Sequence, residues 1–251
     1  MPGNERAVVG FLIQNINRLN LDRIKVVNKI QAPGNNGDLI DINTPGQICT
    51  EHSRKKADIF LNGCGVSIKQ AGPSFLYNRL QRSGLLNCFT SLKFSNADTP
   101  LSKIDDLVLR FHNGGLPSRD VHWSSAFERD DFFKLLKFLM MEGSVQTGYS
   151  DHQAEFILTA PKTNISAQNI KIHDFESYFE EYKSCIYISI RRQWVGQKSN
   201  SEHRRASGLA QKEGNQPWVF NNIVGSPRTG WRNDFPNQDR RTVYMIFITK
   251  C

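Results

Sequence analysis

The chain has 251 residues, 39% hydrophobic and 22% charged, with a net charge of +8 and an isoelectric point near 9.3. This length suits one large domain or two small ones with a full core, and the cation excess suits a polyanionic partner. A mean hydropathy of -0.47, no long apolar run and a start (MPGNERAVVG) without a basic-then-apolar leader argue against membrane spans and secretion, which predicts a cytoplasmic protein.

Near the N-terminus Val8, Leu12, Ile16 and Leu19, with Val9 and Ile13, follow the spacing of an amphipathic helix entered through Asn4 as its cap. It reads as a core or dimer helix. The β-branched run Ile24–Ile30 reads as a strand. Pro33-Gly34-Asn35-Asn36-Gly37 is a surface loop by composition, followed by Asp38 and Asp41, acids that the rim of a site can use.

Within Arg54–Gln70 (RKKADIFLNGCGVSIKQ) two apolar-alternating runs flank Asn62-Gly63, the dipeptide that most readily forms a tight hairpin turn. With a two-residue loop, Leu61 faces Cys64 and Asp58 faces Ser67. With a four-residue loop, Asp58 faces Lys69 instead. Either register gathers Asp58, Ser67 and Lys69 on one face, because strand side chains alternate with a period of two. Phosphodiester hydrolysis can use such a face: the carboxylate holds Mg²⁺, and the lysine orients or helps deprotonate the attacking water. An Asp and a Lys on a hairpin are also an ordinary cross-strand ion pair.

The stretch resembles the PD-(D/E)xK nucleases, and among them the type II restriction endonucleases: Ala57-Asp58 stands for Pro-Asp and Ser67-Ile68-Lys69 for (D/E)-x-Lys. Ser67 replaces a metal-binding carboxylate, so the resemblance implies a second acid from elsewhere. No Asp or Glu occurs between Asp58 and Asp98, which excludes a position shortly after the lysine. Glu51 is the nearest remaining candidate. The resemblance thus assigns Asp58 and Glu51 to the metal and Lys69 to the water, with Ser67 and Gln70 assisting by hydrogen bonds.

After the hairpin a helix is predicted over Ser74–Arg82, stopped at Gly84, with Leu76 and Leu80 as its apolar stripe. Its other side carries Asn78, Arg79, Gln81 and Arg82, groups that suit phosphates and purine edges or simply a solvated face. Leu101–His112 is a helix by the spacing of Ile104, Leu107, Val108 and Phe111. Ser125-x-x-Glu128 is a capping-box pattern opening another, with Phe132, Leu135, Leu136, Leu139 and Met140 as core. Ala154–Ala160 reads as a strand ended by Pro161, and Asp174–Tyr182 as a short acidic helix.

Cys185–Ile190 is a strand running into Arg191 and Arg192, and the polar stretch Lys198–Gly214 is expected to order on nucleic acid. Trp218–Val224 and Val243–Thr249 read as further strands. Between them Arg228, Trp231, Arg232, Asn233, Gln238, Arg240 and Arg241 form a mix suited to reading bases. Residues 1–181 hold 20 basic and 20 acidic side chains, residues 182–251 hold 12 and 4, so the whole excess lies at the C-terminal end. The five cysteines are widely spaced, with no C-x-x-C and no Cys/His cluster, so neither a disulfide framework nor a zinc site is expected.

Strands and helices mix along the chain, an α/β (α+β) class. The resemblance implies a central mixed β-sheet flanked by helices, a restriction-endonuclease-like core with a basic, β-rich C-terminal region. The expected division is a nuclease core at 1–181 and a DNA-recognition region at 182–251. The function so implied is Mg²⁺-dependent cleavage of double-stranded DNA at a short sequence, by a homodimer if the target is palindromic. The alternatives are a sequence-specific DNA-binding protein without catalysis and a repair or RNA-directed nuclease.

Overall fold

A computed structural model describes residues 4–34, 36–48, 55–80, 84–112, 115–190 and 245–251. Helix α1 (Glu5–Gln14) is followed by β1 (Asn20–Leu21), β2 (Lys25–Val26), β3 (Ile30–Pro33) and β4 (Leu39–Asp41). The hairpin strands are β5 (Ile59–Leu61) and β6 (Cys64–Gln70), and β7 (Ser74–Leu80) comes next. Then follow α2 (Leu85–Ser91), α3 (Asp98–His112), β8 (Asp120–His122) and α4 (Arg129–Lys137). After a π turn at Phe138–Glu142 come β9 (Gly143–Ser144), β10 (Gly148–Tyr149), β11 (Phe156–Ala160), β12 (Lys171–His173), α5 (Phe175–Tyr182), β13 (Ile186–Ile190) and β14 (Met245–Thr249). Five α-helices and a six-stranded mixed sheet make the class α/β. None of the described helices is long and apolar enough to cross a membrane.

The chain divides into two compact units: Met1–Leu76 with Phe133–Cys185 and Thr249–Cys251, and Tyr77–Phe132 with Ile186–Ile248. The first holds the six-stranded sheet in the order β12-β11-β6-β5-β3-β4. All its pairings are antiparallel except β11 with β6, which run parallel. Helix α1 buries Val8, Val9 and Leu12 in one core with Ile30, Ile59, Leu61, Val66, Ile68 and Leu158. These strand residues alternate along β5, β6 and β11, as a period of two requires of a sheet with one face on a helix. Behind α5, the rings of Phe133, Phe175 and Phe179 meet edge to face.

The second unit holds a four-stranded sheet in the order β7-β14-β13-β8. Its core is aromatic: Trp123 stacks on Phe132 at 4.6 Å, and Phe127 and Phe247 meet Phe132 at 5.4 and 5.2 Å between centroids. Helix α3 adds Ile104, Leu107 and Val108 to the buried set.

Several sequence expectations need correction. Ser74–Leu80 is the strand β7, not a helix. Leu76 and Leu80 are both buried, and a spacing of four puts them on one side under either period, so the stripe could not discriminate. Gly84 instead stands before α2, with φ 87°. Ile24–Ile30 is not one strand: Lys25 takes φ 64° in the small β1–β2 hairpin, and β3 begins only at Ile30. Helix α1 ends at Gln14, leaving Ile16 exposed. Helix α4 starts at Arg129, and Ser125 belongs to a 3-10 turn, Trp123–Ser125. Cys185 and Cys251 form a disulfide, their Cα atoms 5.3 Å apart. No local motif announces it, because 66 residues separate the partners and strands β13 and β14 bring them together.

Candidate active site

The hairpin adopts the two-residue register, pairing Leu61 with Cys64, Phe60 with Gly65 and Ile59 with Val66. Asn62 and Gly63 take φ 50° and 88°, the left-handed pair that a tight hairpin turn demands. Asn62 contributes more than conformation. Its Oδ1 accepts the N–H groups of Asn28 and Lys29 at 2.9 and 3.1 Å, and its Nδ2 donates to the Val26 carbonyl at 2.8 Å. The turn is thereby fixed to the preceding segment.

Just before β5 the Val66 carbonyl, opposite Ile59 in the ladder, takes the N–H of Asp58 at 2.9 Å. The carboxylate of Asp58 then accepts the N–H of Ile68 at 2.7 Å and the hydroxyl of Ser67 at 3.4 Å. Asp58 and Ser67 therefore meet. Ser67 is buried, and its hydroxyl orients the carboxylate from within the fold.

An acid beside them comes from α1. Asn4 stands at the helix start, yet its side chain makes no cap. Its Nδ2 donates instead to the carbonyls of Ala160 and Pro161 at 2.8 Å each. Ala160 is the register partner of Gln70, and Thr159 that of Lys69, so these bonds hold the first turn of α1 at the end of β6. Glu5, the first helical residue, lies there. Burial raises its carboxyl pKa above the usual range, its own backbone N–H opposes the shift, and Asp58 adds to it while Lys69 and Lys55 counter it. These charges share one small volume.

Lys56 is the fourth member. Its Nζ donates to the Leu139 carbonyl at 2.7 Å. Burial first, then the charge of Lys69, brings its ammonium down to about 8, with Asp58 acting the other way. The site thus gathers two carboxylates, Glu5 and Asp58, among the cations Lys55, Lys56 and Lys69.

Among the expected site residues, Asp58, Ser67 and Lys69 come together, and Gln70 ends the same strand, partly exposed. Asn78 and Arg79 lie on the strand β7 instead of a helix, their side chains outside the described residues. Glu51, Gln81, Arg82, Arg191, Arg192, Arg228, Trp231, Arg232, Asn233, Arg240 and Arg241 also lie outside them, as does the strand expected at Trp218–Val224. Asp41, expected at the rim, pairs with Lys29 at 3.5 Å on β4, the edge strand of the sheet. Glu5 and Lys56 were missed. No spacing links residue 5 to residue 58, and a lysine within Arg54-Lys55-Lys56 reads as solvated charge.

Two carboxylates are hard oxygen donors of the kind Mg²⁺ prefers, and that ion commonly keeps several waters and takes substrate oxygens beside one or two protein ligands. Among the described residues no group of three or more His, Cys, Asp or Glu side chains forms a fuller cage. The pair fits Mg²⁺ and suits no softer metal. No family model, curated protein or solved structure matches the chain.

Proposed function

We propose that the chain is a Mg²⁺-dependent endonuclease acting on double-stranded DNA, with a core of the restriction-endonuclease type. The observation that carries this reading is the meeting of Glu5 from α1 with Asp58 and Lys69 from the hairpin. The PD-(D/E)xK pattern lacks its second acid at Ser67, and Glu5 supplies a carboxylate in the same place. Glu5 takes over the role that Glu51 was expected to fill.

In this reading Glu5 and Asp58 hold the metal, and Ser67 and the Ile68 N–H fix the orientation of Asp58. When bound, the ion polarises the scissile phosphate and acidifies water. Lys69 holds the attacking water and offsets negative charge as it develops on the phosphoryl oxygens. Gln70 donates a hydrogen bond to the water or the phosphate. The basic residues of 182–251 grip the backbone, and a palindromic target would call for two copies of the chain.

A second reading, a DNA-binding protein without catalysis, draws on the use of the Asp58 carboxylate as a hairpin clamp. One experiment separates the two. Under the nuclease reading, purified protein linearises or fragments plasmid DNA in Mg²⁺ but not with a chelator, and Lys69→Ala binds DNA without cutting it. Specific binding with no cleavage of several genomic DNAs would favour the binding protein.

A further inference from the structure

Lys56 stands two residues before Asp58, and the scheme above gives it no task. Its Nζ donates to the Leu139 carbonyl at 2.7 Å. Its main-chain N–H and that of Ala57 both donate to the His152 carbonyl at 2.9 Å, which fixes the chain leading into Asp58. Leu139 belongs to the π turn Phe138–Glu142, where the widened hydrogen-bond pitch leaves carbonyls to be met by donors from elsewhere. Lys56 is therefore drawn back under the turn, half-buried, instead of running out into solvent.

Meeting that carbonyl needs a donor but no charge, and an amide would serve. The charge has a cost, since Lys56 acts against Lys69 while Asp58 favours it. Half-burying two ammonium groups near one another is unfavourable unless anions answer them. Glu5 and Asp58 do so in part, yet a divalent cation held by these carboxylates would take up their charge. Lys56 and Lys69 would then face the site as cations with an anion still to meet. A phosphodiester is that anion.

We propose that Lys56 is a second phosphate-binding cation of this site, its Leu139-tethered ammonium meeting the same phosphoryl group of the DNA backbone as Lys69. The inference rests on the nuclease reading. It assigns the hydrogen bond to Leu139 a positioning role: it pre-sets a flexible side chain, so less rotamer freedom is lost when the phosphate arrives.

The test compares wild type with Lys56→Gln, Lys56→Arg and Lys69→Ala in three readouts: melting temperature, duplex affinity against salt in chelator, and single-turnover cleavage in Mg²⁺. Glutamine retains a donor for Leu139 without the charge. The proposal expects Lys56→Gln to melt near wild type, cut about 100-fold more slowly, and bind with a salt slope smaller by about 0.9. Lys56→Arg is expected to recover most of the rate. A Lys56→Gln protein with wild-type cleavage and salt slope would reduce Lys56 to a cap and overturn the inference, while wild-type cleavage itself left the nuclease reading intact. A wild type that neither cuts nor binds would overturn both. If Lys56→Gln does not fold, wild-type crystals soaked in inorganic phosphate decide the matter. Phosphate bridging the Lys56 and Lys69 amines supports the proposal, and phosphate on Lys69 alone or on neither contradicts it.

Discussion

The Oδ2 atom of Asp58 accepts the main-chain N–H of Ile68 at 2.7 Å, so one carboxylate both completes the hairpin ladder and faces the proposed metal. The two tasks ask different things of the side chain. The ladder needs an oxygen, and the metal needs a negative charge.

Substitution at Asp58 separates them. Asp58→Asn keeps an acceptor for Ile68 and is expected to lose cleavage with a small change in stability. Asp58→Ala leaves the Ile68 N–H without its partner and is expected to cost roughly 1–3 kcal/mol as well. Urea denaturation of both variants checks this, and equal stabilities would contradict the clamp.

Gly65 has a packing reason to be glycine. A Cβ there would lie 2.3 Å from the Gln153 carbonyl oxygen and 3.3 Å from both Ala154 Cα and Ala57 Cβ. The first is rigid backbone, and its neighbours anchor the hairpin, since Glu155 donates to the Gly65 carbonyl at 2.7 Å. Gly65→Ala is expected to destabilise by roughly 1–3 kcal/mol and to slow cleavage by shifting Asp58. An unchanged melting temperature would count against the strand placement.

His173 predicts a response to acid. It is buried, with Nε2 3.2 Å from Thr159 Oγ1 and Nδ1 3.5 Å from Glu181. Burial lowers its pKa below 6.5; Glu181 and Asp174 oppose that shift, while Lys171 and Arg23 reinforce it. The unfolded chain therefore binds the proton more readily, and the associated stability is present above 6.5 and is lost as pH falls through that value toward the lower folded pKa. Urea midpoints at neutral pH and in mild acid should diverge in wild type, and the divergence should shrink in His173→Gln. An equal divergence in the variant would assign the effect to other groups.

The disulfide closes a loop of 66 residues, and Cys251→Ser is expected to cost up to about 4 kcal/mol. Thiol labelling gives a direct check. Cys88 is buried and its pKa pushed up to about 11 by that burial, so it reacts slowly, whereas Cys64 is partly exposed. Peptide mapping of unreduced protein should recover Cys185 linked to Cys251. Rapid labelling of both would show the bond to be unformed.

Legibility in the sequence followed the range of the interactions. The hairpin was readable because its turn, alternation and register are local, and Asn62-Gly63 announces all of them. The core of α4 was readable for the same reason. Strand β7 was misread because Leu76 and Leu80 fit two periods, and only its place beside β14 decides between them. Glu5 was invisible because its position depends on Asn4 reaching Ala160, 156 residues away. The disulfide likewise depends on the pairing of distant strands.

The account turns on Glu5 standing in for the acid that Ser67 replaces. The most direct measurement is the single-turnover rate of duplex cleavage in Mg²⁺ for wild type and Glu5→Gln, with folding and DNA affinity measured alongside. The account predicts a wild type that cuts, and a variant that folds and binds but cuts about 100-fold or more slowly. A Glu5→Gln protein that cuts at the wild-type rate, or a wild type that binds DNA and never cuts it, would contradict it.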